Sequence, residues 1–357
     1  MRNLTQLTAD KILSIAIPET LFSASAQEAR QEYRTLARLW HPDCQSEPNS
    51  IHVFAHIVEL YRLAQEKLVT GDWDLNCEKI EEQVARLRRF KLTDNSVVTC
   101  KYRICQPFEL GKMYVSENSV SFEIENQFEE LFEQGRRRIH AIRFKNDAMA
   151  LEMSKYLPQI IREFKTSSAR VLIVRKTPDQ ILLSDIIKHF NGRLSPIEHV
   201  GWILNNLLNI ACYLEWAGLT HNGITAHTVF VSPLRHCSML LGGWWYATKA
   251  GEPLAFLPED AVPSVPPDVL RTKRADHRTD LELIRSIGRQ LLGDATGASL
   301  TFDKSLPPKL VEWLQLPSSG SAIEDYKTLK REILTDAFGP PRFVNWKLDA
   351  DTIYKEK

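Results

Sequence analysis

The stretch Tyr33 to Asp43, YRTLARLWHPD, constrains this chain more than any other. Pro42 supplies no N–H and pushes His41 out of helical geometry, so a helix entering the stretch must stop near Trp40. The helix itself is legible upstream. Ser25 is a good N-cap, and Glu28 stands at the capping-box spacing from it. Ala29, Tyr33, Leu36, Ala37 and Trp40 then recur at helical period and form one apolar stripe. Arg30, Arg34 and Arg38 fall at successive i, i+4 steps and share a different face. The pattern predicts a helix that buries one side, carries three guanidinium groups on another, and ends with His41 and Asp43 on a rigid turn.

A second helix is predicted after the polar segment Cys44 to Ser50, because Phe54, Ile57, Tyr61 and Ala64 repeat at three- and four-residue steps. Thr8 to Ile15 reads as a short first helix capped by Thr8. Two antiparallel helices with a stiff loop between them make a small hairpin. The plain reading is that His41 and Asp43 only cap its turn.

The segment from about Leu4 to Leu68 resembles a J-domain, the module of DnaJ-type co-chaperones. The resemblance is carried by YRxLAxxxHPD, here Tyr33, Arg34, Leu36, Ala37, His41, Pro42 and Asp43, and by the later F-x-x-I-x-x-x-Y, here Phe54, Ile57 and Tyr61. It implies docking on an ATP-loaded DnaK-type heat-shock chaperone. Arg30, Arg34 and Arg38 would meet an acidic patch on that partner. His41, Pro42 and Asp43 would engage it near its interdomain contacts and promote ATP hydrolysis, supplying no hydrolytic group. No Gly/Phe-rich linker or cysteine-rich zinc region follows, so general client binding is not implied.

The chain has 357 residues, room for two or three domains. Lys+Arg and Asp+Glu both number 45, so no net field points to nucleic acid or an anionic membrane. The run Arg136 to Arg138 reads as solvated. Met1 to Ala16 lacks a secretory apolar core. The most apolar long stretch, Val200 to Leu219, is interrupted by Asn205, Asn206, Asn209 and Glu215 and reads as a buried helix, not a membrane span. Six cysteines form no C-x-x-C pair, so neither zinc nor disulfides are suggested. These features lead to the expectation of a cytoplasmic protein with no cofactor and no metal.

Residues 1–70 are expected to be the helical hairpin domain. Residues 71–95 read as a helical connector, with Cys77, Ile80, Val84 and Leu87 as a narrow stripe. Residues 96–176 read as a small sheet with one helix. The strands are Val97 to Ile104, Ser119 to Glu125, Arg138 to Phe144 and Val171 to Val174, and the helix is Asn146 to Phe164, kinked or shortened by Pro158. Residues 177–345 read as mainly helical, with Ile181 to Phe190 and Pro196 to Ala217 clearest, and residues 346–357 as a tail. The expected class is α+β: a small all-α domain, then a two-lobed domain, β-rich before helical.

From residue 96 to about 345, the order and spacing resemble a protein kinase. The catalytic loop H-R-D-x-x-x-x-N falls on His221 to Thr228, the D-F-G on Gly242-Gly243-Trp244 or one residue later, and Pro266 to Leu270 resembles A-P-E-x-L. The V-A-I-K strand would read His140 to Arg143, with Glu152 as the helix Glu that pairs with it. The groups phosphoryl transfer needs are missing at these positions. Gly223 stands for the base, Thr228 for the magnesium-binding Asn, glycine (Gly242 or Gly243) for the magnesium-binding Asp, and Arg143 for the Lys. Residues 100–120 contain only Gly111, so no Gly-rich loop exists. Gly242 to Trp245 is expected to be a tight turn with aromatics packed where a nucleotide would sit. The expectation is a pseudokinase domain without phosphotransferase activity, acting as an adaptor for an unknown client or complex. The alternatives are a divergent nucleotide-binding enzyme with an attached J-domain, using Glu259 or Asp260, and a structural scaffold in which the J-domain is a relic.

Overall fold

A computed structural model of the chain describes residues 4, 7–41, 49–70, 73, 86–340 and 342–355. It is a mixed α+β structure: a helical pair first, then antiparallel sheets, then a largely helical region. The chain divides into two compact units, residues 1–88 and 89–357.

The first unit contains α1 (Ala9–Ser14), α2 (Pro18–Leu21), α3 (Ala26–Trp40) and α4 (Ser50–Thr70). Thr8 caps α1 as expected, its hydroxyl accepting from Lys11 N–H (3.4 Å). Ala29, Leu36 and Trp40 on α3 pack against Val53, Ile57, Leu60 and Ala64 on α4, with Ile12, Leu21 and Phe22 completing the core. Tyr33 stacks on Tyr61 across the pair, with centroids 4.2 Å apart. The capping box is not formed. Ser25 holds the N-cap position without a side-chain bond, and Glu28 is exposed. Glu32 is used instead, one helical turn further on. Its carboxylate accepts from Ser23 N–H (2.7 Å) and Ser23 Oγ (2.6 Å), tying the preceding loop to the helix.

Of the expected connector, Cys77, Ile80 and Val84 lie outside the described residues. Leu87 is not helical: β1 (Leu87–Lys91) pairs with β2 (Val97–Lys101) as a hairpin. Phe90 is drawn in against Cys100, Tyr114 and Val171, which favours an alternating strand over a helix face.

The main sheet has five antiparallel strands: β3 (Ile104–Phe108), β4 (Gly111–Val115), β5 (Ser119–Glu125), β6 (Ile160–Lys165) and β7 (Ala169–Arg175), in the order β3-β4-β5-β7-β6. Between β5 and β6 lie α5 (Glu129–His140) and α6 (Asp147–Met153). Two expectations are overturned here. Arg138 to Phe144 is not a strand. Phe132, Gly135 and Ile139 line the buried side of α5, which runs to His140, and the chain then turns at Ala141. Nor does one helix span Asn146 to Phe164. Asn146 caps α6 by accepting from Met149 N–H (2.9 Å), but the helix ends at Met153 and one 3-10 turn leads to Leu157. Pro158 follows, and β-branched Ile160 and Ile161 open β6.

After β8 (Ile181–Leu182) and α7 (Leu183–His189), the long α8 (Glu198–Trp216) is buried nearly all round. β9 (Leu219–Thr220), β10 (Val229–Ser232), β11 (Cys237–Leu240) and β12 (Thr248–Lys249) form the short ladders β11-β10-β8 and β12-β9. Helices α9 (Pro267–Thr272), α10 (His277–Leu291), α11 (Pro308–Gln315), α12 (Ala322–Thr328) and α13 (Leu334–Phe338) complete the helical region. The expected tail is part of the packed unit. Trp346, Ile353 and Tyr354 are buried, α14 (Ala350–Lys355) forms, and Tyr354 Oη accepts from Leu182 N–H (3.0 Å). No helix among the described residues is long and apolar enough to cross a membrane.

Candidate functional site

In the first unit, Arg30, Arg34 and Arg38 are all exposed on α3, roughly 6 Å apart along its axis. The face is fixed by the other side of the helix, where Ala29, Leu36 and Trp40 are buried. The helix ends at Trp40. His41 takes an extended backbone (φ −63°, ψ 131°), the geometry a residue before proline prefers. Its ring is exposed and meets Phe54 of α4 edge-on at 5.2 Å. Pro42 and Asp43 lie outside the described residues.

In the second unit, a cleft of about 690 Å³ opens between the β3–β5 part of the sheet and the segments around residues 225–228 and 242–260. Its walls are aromatic. Phe108 stacks with Trp245 (5.3 Å), Phe122 meets Trp245 edge-on (4.9 Å), and Tyr246 stacks with Phe256 (5.8 Å). Of the two aromatics expected to fill this space, Trp245 lines the cleft. Trp244 lies fully buried, donating from Nε1 to Leu240 O (3.0 Å) and packing against the edge of the His221 ring.

The loop from His221 to Thr228 is held from behind. Asp280, buried on α10, accepts from His221 N–H (2.7 Å) and Asn222 N–H (2.8 Å). Burial outweighs those two bonds and raises its pKa to about 7. Burial drives the His221 imidazole down to about 3, so it is neutral. Thr228 closes the loop: its hydroxyl donates to Gly223 O (2.7 Å) and accepts from Thr225 N–H (3.0 Å). It is a capping group rather than a ligand.

Gly223 and Gly243 are sterically required, and Gly242 is tightly fitted. A Cβ on Gly223 would lie 2.7 Å from the Tyr246 ring. On Gly242 it would meet Phe122 at 3.3 Å. On Gly243, at φ +79°, it would meet the His221 ring at 2.7 Å and Thr228 at 3.0 Å. These positions lack carboxylates, and the space a carboxylate would need holds aromatic and methyl groups.

Arg143 and Glu152 are not brought together, because the strand expected to present Arg143 does not exist. Arg143 lies in the irregular segment after α5, where its carbonyl accepts from Tyr213 Oη (3.1 Å). Glu152 on α6 pairs with Lys155 (3.3 Å) and accepts from Tyr156 Oη (3.3 Å). The strand preceding the helix and facing the cleft is β5, which presents Phe122 and contains no lysine or arginine. Sequence reasoning missed Phe108, Glu109 and Phe122. Phe122 had a signal in the alternation of Val120, Phe122 and Ile124 along one strand, and Phe108 and Glu109, on β3 and the turn after it, had none.

A magnesium–triphosphate group does not fit these residues. The cleft's described lining holds Glu109, Glu259 and Asp260 but no lysine or arginine. No group of three acidic, histidine or cysteine side chains among the described residues is arranged to hold a metal ion. A polyanion would meet like charge with nothing to neutralise it. No protein-family model matches this chain, and no curated protein is detectably similar to it in sequence.

Proposed function

We propose that the chain is a J-domain co-chaperone that recruits a DnaK-type heat-shock chaperone and stimulates its ATPase. The observation that carries this reading is the exposed row Arg30, Arg34 and Arg38 on a helix that ends at His41, the first residue of His41-Pro42-Asp43. A basic face on a rigid helix suits an acidic partner, and charge complementarity speeds encounter and fixes register. The His41 imidazole is exposed at the end of the same helix, beside that basic row. The second unit is a kinase-like, two-lobed fold without kinase chemistry, an adaptor that brings a client or complex to the chaperone. Supporting that half are the occupied space around Gly223 and Gly243 and the absence of a cleft-facing lysine on β5.

The purified protein should speed ATP hydrolysis by a DnaK-type chaperone, and His41→Gln or Asp43→Asn should abolish the effect while the far-ultraviolet circular dichroism stays unchanged. A wild-type protein that leaves the ATPase rate unaltered would sink the co-chaperone reading.

A further inference from the structure

The cleft that cannot hold a polyanion is built for the opposite charge. Its apolar surface comes from flat rings: Phe108, Phe122, Trp245, Tyr246 and Phe256. A pocket of this size, mostly apolar with a few convergent polar groups, is the usual form of a small-molecule site. The charged groups at its mouth share one sign. Glu109 stands at the tip of the β3–β4 hairpin and is held in place at both oxygens, by Tyr246 Oη–H (3.1 Å) and Glu259 N–H (3.1 Å). Glu259 and Asp260 stand beside it, both exposed. A carboxylate has about four lone-pair sites, so Glu109 can still accept from a ligand. The Trp245 ring, 3 % exposed, is buried in the cleft wall.

The geometry points to a binding site for a small organic cation: an amidinium, guanidinium or ammonium group on a flat apolar skeleton. The apolar part lies against Phe108 and Phe256, the half-buried rings of the lining, and the charge reaches the carboxylates of Glu109, Glu259 and Asp260. Aromatic faces attract cations through their quadrupole, most strongly where water is excluded, so walls and mouth select the same ligand. This inference concerns the second unit alone and does not rest on the co-chaperone reading.

Benzamidine is the probe, and benzamide, nearly the same shape without the charge, is its control. Thermal unfolding of the full chain is followed with each, and with magnesium-ATP. A ligand that binds only the native state raises the midpoint. Benzamidine should raise the second unit's transition, and benzamide at equal concentration should not. Titration calorimetry should show benzamidine binding at least tenfold weaker in Glu109→Gln. Phe108→Ala, which leaves the acidic mouth intact, should also weaken it. Equal shifts from benzamidine and benzamide would reduce the site to apolar contact and overturn the charge argument. A shift from magnesium-ATP with none from benzamidine, or no shift from any of the three, would overturn the proposal outright.

Discussion

The two units treat their polar residues in opposite ways. In the first, Glu19 is buried against Lys67 (2.5 Å), but Arg30, Arg34, Arg38 and His41 all face solvent. In the second, the loop that the kinase resemblance marks as catalytic is drawn inward. His221, Asn222 and Thr228 are buried, and Asp280 spends its carboxylate on two backbone N–H groups. The difference teaches where substitutions should act. Changes in the first unit should alter partner contacts and leave stability alone. Changes in the second unit's loop should alter stability and create no activity.

The largest effect should come from forcing a carboxylate into the loop's glycine turn. Gly243→Asp meets both the left-handed backbone and the His221 ring, a combined cost of about 3 to 5 kcal/mol. Denaturant unfolding should show the loss in the second unit's transition, and magnesium-ATP should not restore it. A stable variant whose midpoint rises with magnesium-ATP would break the contrast.

A smaller effect concerns pH. Asp280 has its folded pKa raised to about 7 from an ordinary 3.8, so its contribution is full below about pH 4 and is lost as pH rises toward 7. His221 has its folded pKa lowered to about 3 from 6.5, so its contribution is full above about pH 6.5 and is lost as pH falls toward 3. Across pH 4 to 6.5 the two slopes oppose each other. The stability penalty of Asp280→Asn should therefore shrink as pH rises from 4 to 7, and that of His221→Gln should shrink as pH falls from 6.5 to 3. Unfolding measured against pH for both variants checks this, and parallel curves would show that neither group is held as described.

The smallest stability effect belongs to the first unit. Arg34→Glu should change unfolding free energy by no more than about 0.5 kcal/mol, as an exposed site predicts. Its stimulation of the chaperone ATPase should nonetheless fall steeply, and wild-type stimulation should weaken as salt rises. A variant that unfolds early, or one that stimulates normally, would erase the distinction between the units.

The helical pair was legible because period and breaker agree. Leu36 and Trp40 mark the buried stripe of α3, and the residue before Pro42 marks its end. The capping box was not formed: Ser25 makes no side-chain bond and Glu28 is exposed, while Ser23 and Glu32 tie the preceding loop to the helix, a contact no capping rule points to. The strand Ser119–Glu125 was legible from alternation. Residues 138–144 were not, because short apolar groups such as Ala141 and Ile142 suit either structure, and packing of Phe132 and Ile139 decides for the helix. That one error displaced Arg143 and hid Phe122. Gly223 and Gly243 were read as missing chemistry. That they are also sterically locked depends on the Tyr246 and His221 rings, which no spacing in the chain reveals.

The locked glycines also bear on what the chain can accept. At Glu28, exposed on α3, a change leaves the core untouched. At Gly223 and Gly243 no single change can bring in a carboxylate without loss. A carboxylate there needs Tyr246 or His221 to shrink in the same event, and shrinking either ring first opens a void beneath the loop. Both orders pass through a less stable protein. Packing in the cleft thus acts as a barrier, closing both glycines to a carboxylate that arrives alone.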